Sequence, residues 1–166
     1  MASLALRTIQ HNIRIPDSIF MSYSVLLMQF FPSPSRFLTL IDPVLMQPII
    51  VRCINAYKDK HYINTLPRTL EEEVSLEVDD DNIFLSPLLT SRDVLQLFPR
   101  MLIISTDMDP CLDDNIDFSN KLIDAGVDVQ MKVLKGLPHG FFAFAGLSNS
   151  CKEGFDHVTK VLEQWI

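Results

Sequence analysis

A chain of 166 residues, 48% hydrophobic and 21% charged, is long enough for one folded unit and too apolar for an intrinsically disordered one. The net charge of -7 and a pI of about 4.9 exclude the cationic footprint that a phosphate backbone requires, so no nucleic-acid partner is expected. Three widely spaced cysteines, Cys53, Cys111 and Cys151, form no C-x-x-C pair; they indicate neither a disulfide framework nor a zinc site and fit a reducing, cytoplasmic compartment.

The opening run Met1-Ala-Ser-Leu-Ala-Leu6 is too short for a signal peptide, and no stretch reaches membrane-spanning length. Ala2 to His11 reads as a helix with Leu4 and Ile9 on one side. Arg7 and Arg14, with no acid before Asp17, are also the pattern of a mitochondrial presequence, but the simpler reading is a helix whose beginning has been cut off. Ile13 to Pro16 turns the chain into a buried strand, Ile19 to Tyr23. Phe31-Pro-Ser-Pro-Ser-Arg36 is a turn-forming linker, and Phe37 to Tyr57 is strongly apolar, predicted as short helices divided by Pro43 and Pro48. This stretch reads as a cap over a site. Lys58 to Asp81 gathers Glu71, Glu72, Glu73, Glu77, Asp79, Asp80 and Asp81 and is predicted as a solvated loop. It lacks the alternating oxygen ligands and central glycine of an EF-hand. Residues 25–83 are therefore expected to be a cap insertion and acidic loop within a single domain spanning 1–166.

Order returns with Ser86-Pro-Leu-Leu89 as a turn and Asp93 to Leu97 as a short helix ending before Pro99. Met101 to Thr106 is a continuous apolar strand of the kind buried inside parallel sheets. Asp113 or Asp114 is expected to cap the next helix, with Phe118, Leu122 and Ala125 on its buried face and Gly126 closing it. Val127, Val129, Met131 and Val133 alternate along a strand to Leu134, followed by a Lys135 to Gly140 loop and a helical stretch to about Leu147. The last helix, Cys151 to Ile166, carries the stripe Phe155, Val158, Leu162 and Trp165. Strand, helix, strand and helix in this order give a parallel α/β layer.

In such layers functional groups collect at the carboxyl edge of the sheet. Asp109 stands three residues beyond Thr106 and His139 five beyond Leu134. Neighbouring strands run only about 4.8 Å apart, so the imidazole can reach the carboxylate. A contact of about 2.6 to 3.2 Å would hold one ring nitrogen protonated and leave the other free to take a serine proton. Alone, an aspartate before proline is often a turn former and a histidine often a core or surface residue. His11, His61 and His157 have no metal-ligand spacing and read as structural. A competing reading takes Asp107-Met-Asp109 as the start of an aspartyl phosphotransferase acting beside magnesium, but it leaves Pro138-His-Gly140 unexplained.

Several long words are shared with a known family: Ile15-Pro-Asp-Ser-Ile19, Ser33-Pro-Ser-Arg36, Ile41-Asp-Pro-Val-Leu45, Phe84-Leu-Ser-Pro-Leu-Leu89, Asp109-Pro-Cys-Leu-Asp-Asp114 and Leu137-Pro-His-Gly-Phe141. By these words most of the chain outside the acidic loop resembles the carboxyl-terminal part of the hormone-sensitive lipase family of α/β-hydrolases. The resemblance implies the carboxyl-terminal portion of an α/β-hydrolase parallel sheet, about three strands, with helices on both faces and a helical cap insertion. It makes Asp109 the triad acid and His139 the base, with an acylglycerol or other ester as substrate, no cofactor, and the lipid-droplet surface as a place of action. It also implies a nucleophile in a Gly-Asp-Ser-Ala-Gly turn just before the helix that Ala2 to Gln10 resembles, and oxyanion-hole glycines further upstream.

Neither motif is present: the first glycine is Gly126, and the near miss Gly146-Leu-Ser-Asn-Ser150 follows the histidine and lacks the last glycine. This chain alone is therefore expected to be inactive, a truncated product whose first strand has an open edge and self-associates. Ser75, Thr65 and Thr69 stand in no Arg-Arg-x-Ser pattern, so phosphoregulation there is not expected. The reading from a different class is a non-catalytic lipid-binding or interaction protein that uses the apolar stretch Phe37 to Tyr57.

Overall fold

The computed structural model describes residues 1–28, 32–42, 44–58 and 82–165. Phe31, Pro43 and most of the predicted acidic loop, with His61, Thr65, Thr69 and Ser75, lie outside the described residues.

Three parallel strands form the sheet in the order β1-β2-β3: β1 (Ser18–Ser22), β2 (Arg100–Met108) and β3 (Val129–Pro138). The middle strand explains its own composition. Met101 and Ile103 enter one hydrophobic cluster and Leu102 and Ile104 the other, so a strand covered on both faces takes apolar residues at consecutive positions, Met101 to Ile104. On the first face, α1 (Ala2–Gln10) contributes Ala2, Ala5 and Leu6, α3 (Arg92–Leu95) contributes Leu95, and α4 (Leu112–Asp124) contributes Phe118 and Leu122. On the second face, α5 (Asn149–Trp165) lays Cys151, Val158, Val161 and Trp165 against Leu137 and Phe141. Helices thus cover both faces, as expected. No helix among the described residues is long and apolar enough to cross a membrane.

Both strands leading to the site run further than hydrophobic periodicity suggests. β2 continues through Met108 and β3 through Pro138, across a register shift between Thr106 and Met108 that re-pairs Met108 with Pro138. The predicted loop at Lys135 therefore begins as strand. Asp107 holds this extension by accepting the Gly136 N–H at 2.7 Å, and Gly136 takes a left-handed φ of +70° that a side chain would strain. Along β3, Val129 and Met131 pack on the first face while Val133 is exposed and Leu134 and Leu137 pack on the second.

Three further expectations are corrected. The apolar stretch holds short helices as expected, but Pro48 lies inside one of them: it is the second residue of α2 (Gln47–Lys58), where its missing N–H has no intrahelical partner to lose. The other is a 3-10 helix, Ser35–Leu40. Neither Asp113 nor Asp114 caps α4; Cys111 is the N-cap residue, and both acids lie in the first turn with their carboxylates turned to another segment. On the last helix Val158, Leu162 and Trp165 of the predicted stripe pack inward, but Phe155 is 43% exposed while Cys151, Gly154 and Val161 join the buried face. Gly154 sets this phase. A Cβ there would stand 2.5 Å from Leu137 Cδ1 and 3.1 Å from Phe141 Cε2, so any larger residue would have to push these buried side chains aside. Gly154→Val is expected to destabilise the chain by about 1 to 3 kcal/mol through overpacking, read as a lower urea midpoint at unchanged slope.

Candidate active site

β2 ends at Met108 and β3 at Pro138, so the next residue of each, Asp109 and His139, emerges at the same carboxyl edge. Asp109 is fully buried. Its Oδ1 accepts the Cys111 N–H at 2.7 Å and stands 2.9 Å from His139 Nδ1. An ionised carboxylate only accepts hydrogen bonds, so the imidazole donates from Nδ1 and the lone pair is left on Nε2. The backbone on either side is also fixed: Asp109 N–H donates to Thr106 at 3.2 Å, and Leu112 N–H donates to the Asp109 carbonyl at 3.0 Å. Gly140, at φ +70°, turns the chain from His139 into a 3-10 helix, Phe141–Phe144. The His139 side chain remains 17% exposed, open to a reacting group.

The other carboxylate of the Asp-x-Asp word has a different partner, since Asp107 is engaged by Gly136 and is exposed. His11 and His157 stand outside this cluster. Two residues of the site escaped the sequence reading. Tyr23, directly after β1, donates its backbone N–H to Ile104 at 2.8 Å and has φ +37°, a conformation that non-glycine residues rarely adopt. Its ring meets His139 edge-on at 5.1 Å between centroids and also contacts Phe141 and Phe142, forming an aromatic wall beside the imidazole. Burial pushes the phenol pKa up, a hydrogen bond with Ser22 offsets part of that, and the Asp109 charge adds to the rise. An aromatic residue closing a strand is a faint signal; its contact with a histidine 116 positions away leaves none.

The second is Cys111, fully buried beside the acid. Burial above all, then the charge of Asp109, pushes its thiol well above the ordinary range, so it stands as the protonated thiol.

A layer of ionic and polar contacts fixes the loop that carries Asp109. Asp114 Oδ2 accepts Arg36 Nη2 at 2.7 Å and the N–H groups of Leu26 and Leu27 at 3.1 Å each. Asp113 Oδ2 accepts the Ser35 N–H at 2.7 Å, and Ser35 Oγ donates to the Pro110 carbonyl at 3.0 Å. Asn115 Nδ2 bridges Ser24 and Cys111 carbonyls at 2.9 and 2.7 Å. The segment between β1 and the first 3-10 helix is thereby tied to the turn after β2. Burial pushes the Asp114 carboxyl above its ordinary 3.8, with Arg36 and the Leu26 and Leu27 N–H groups opposing the shift.

A raised folded value means that the folded state holds this proton more tightly than the unfolded chain. The stability contributed by this titration is present below 3.8 and is lost as pH rises through the raised value. Arg36→Met, which leaves Asp114 buried without its cation, is expected to lose about 3 to 5 kcal/mol, and Arg36→Met/Asp114→Leu to recover most of it and remove this pH dependence. Urea titrations between pH 4 and 7 check both. At the pair itself, Asp109→Ala is expected to release the Nδ1 proton preference of His139, seen as a change in its ring nitrogen shifts by NMR while the circular dichroism of the fold is kept.

With this geometry in place, comparison with known proteins is specific. A family model described as the alpha/beta hydrolase fold matches residues 19–143. Hormone-sensitive lipase of Mus musculus is 40% identical over 72 residues, 43% of this chain, and that of Homo sapiens is 38% identical over 72 residues. The matched stretch spans 9% of the mouse protein and 6% of the human one, a narrower span than the shared words suggest. Among solved structures, a hormone-sensitive lipase from a metagenome library superposes with a TM-score of 0.74 at 17% identity, covering 99% of this chain and 50% of that one. An esterase of Pyrobaculum calidifontis gives 0.73 at 16% identity, covering 99% and 48%. Sheet order, helices on both faces and the match over residues 19–143 agree: the chain belongs to the α/β-hydrolase fold family and, within it, resembles the hormone-sensitive lipases.

Proposed function

We propose that Asp109 and His139 are the acid and base of a Ser-His-Asp triad that hydrolyses carboxylic esters, with acylglycerols as the substrate class. The observation that carries this is the 2.9 Å contact between a fully buried carboxylate and Nδ1 of a partly exposed imidazole at the carboxyl edge of a parallel sheet. In that arrangement Nε2 takes the proton of a serine hydroxyl as the oxygen attacks the ester carbonyl. Asp109 stabilises the imidazolium, and the proton then passes to the leaving alkoxide. Water, deprotonated by the same nitrogen, releases the acid from the acyl-serine.

The 166 residues hold no Gly-x-Ser-x-Gly turn, so we expect them to be inactive by themselves. We read 1–166 as part of one hydrolase domain with 25–83 as its cap insertion. The outer edge of β1 has no strand partner among the described residues, which suits pairing with a further strand or with a second copy of the chain. Exposed Phe37, Leu40 and Ile41 on the cap suit a lipid surface, and a cytoplasmic place of action at lipid droplets fits both these residues and the three free thiols.

Residues 1–166 are expected to show no turnover of p-nitrophenyl butyrate and no labelling by a fluorophosphonate. The longest reading frame containing them, once expressed, is expected to hydrolyse the ester, with kcat falling on the order of 10⁶-fold in His139→Ala and 10⁴-fold in Asp109→Asn. Turnover that survives His139→Ala would sink the triad. A folded, inert chain that binds acyl ligands would favour the non-catalytic reading instead.

A further inference from the structure

We propose that Asp109, Cys111 and His139 form a binding site for a thiophilic divalent cation of the zinc class, which replaces the hydrogen bond between the carboxylate and the imidazole. One carboxylate oxygen, one thiol sulfur and one imidazole nitrogen lie within 4.8 Å of one another, the one such group of three among the described residues. Zinc bonds of about 2.0 Å to nitrogen and oxygen and 2.3 Å to sulfur set donor atoms about 3.3 to 3.6 Å apart around a tetrahedral ion. Side-chain movements of about an ångström would bring this trio into that range. The donors are pre-gathered by the fold and not by spacing in the chain, because Cys111 follows β2 and His139 follows β3.

A second observation is independent of the distances. Asp109 Oδ1 serves both Cys111 N–H and His139, but Oδ2 is buried with no hydrogen-bond partner. An enclosed carboxylate oxygen without a donor is an exception that invites a cation. Sulfur and imidazole together select zinc-class ions over calcium or magnesium, which take oxygen donors. Three protein donors and a partly exposed histidine leave the fourth position to water.

Binding balances simply: the ion takes up the thiolate, and the thiol proton passes to solvent. If the ion occupies Nδ1, the neutral ring keeps its remaining proton on Nε2, the nitrogen that must be bare to act as a base. The cation is then an off-switch for the proposed triad. That consequence rests on the proposed function; the binding does not.

The test uses residues 1–166 carrying Cys53→Ser, which removes the exposed thiol. Titration with Cd²⁺ is expected to raise the ultraviolet thiolate-to-cadmium charge-transfer band to saturation at one ion per chain, and Zn²⁺ to displace it. Cys111→Ser is expected to abolish the band, and His139→Ala and Asp109→Asn each to weaken binding about tenfold or more. Millimolar binding, or a band that persists in a folded Cys111→Ser chain, overturns the site. Should Cys111→Ser fail to fold, unchanged affinity in both His139→Ala and Asp109→Asn overturns it equally. In an expressed frame with esterase activity, Zn²⁺ is expected to inhibit and a chelator to restore turnover. Cation binding together with turnover indifferent to His139 would keep the site and remove the triad. Turnover dependent on His139 without any cation binding would do the reverse.

Discussion

A carboxylate shut away from water has to find its donors inside the protein, and the structure meets that demand at one oxygen of Asp109 and leaves the other without a partner. One oxygen is served by a backbone N–H two residues on and by an imidazole delivered from the neighbouring strand. The first is a local turn, and the second exists because β2 and β3 run parallel and end together, so the carboxylate and the ring arrive at one edge without a long loop. The register shift after Thr106 is part of the same solution. It lets Met108 pair with Pro138, which brings the two residues that follow side by side.

Around this contact the chain uses charge where a helix N-terminus would ordinarily use a cap. Asp113 and Asp114 open α4 yet reach outward, to Ser35, Leu26, Leu27 and Arg36. Their position in the first turn still suits the helix dipole, so the same residues help start the helix and tether the approach to the cap. Burial opposes the ionised Asp114, and the guanidinium answers only part of that opposition. Such a pair specifies an arrangement more than it stabilises one.

How much of this was legible depends on the kind of interaction. The layer architecture was, because Met101 to Ile104 can be apolar at every position only if both faces are covered. The meeting of Asp109 and His139 was legible from strand order and the short distance of each beyond its strand. The phase of α5 was legible in part: Val158, Leu162 and Trp165 pack inward, but Phe155 is exposed because Gly154 is the residue that lies against Leu137 and Phe141. The ends of β2 and β3 were hidden for a related reason, since Asp107 holding Gly136 is a contact across strands that no periodicity reports. Tyr23 and Cys111 were missed because their roles come from neighbours distant in sequence and, for Tyr23, from a backbone angle that composition does not encode.

The close seat of α5 ties the last helix to the edge that carries Asp109 and His139. Leu137, wedged against Gly154, lies two residues before His139, and Phe141, pressed by the same glycine, lies two residues after it. The ring is therefore held in a short span anchored at both ends on one helical surface. Whatever lifts that helix, whether heat, a bound partner or a change of sequence, slackens both anchors at once, so a disturbance remote from the carboxylate would be felt as a misaimed imidazole.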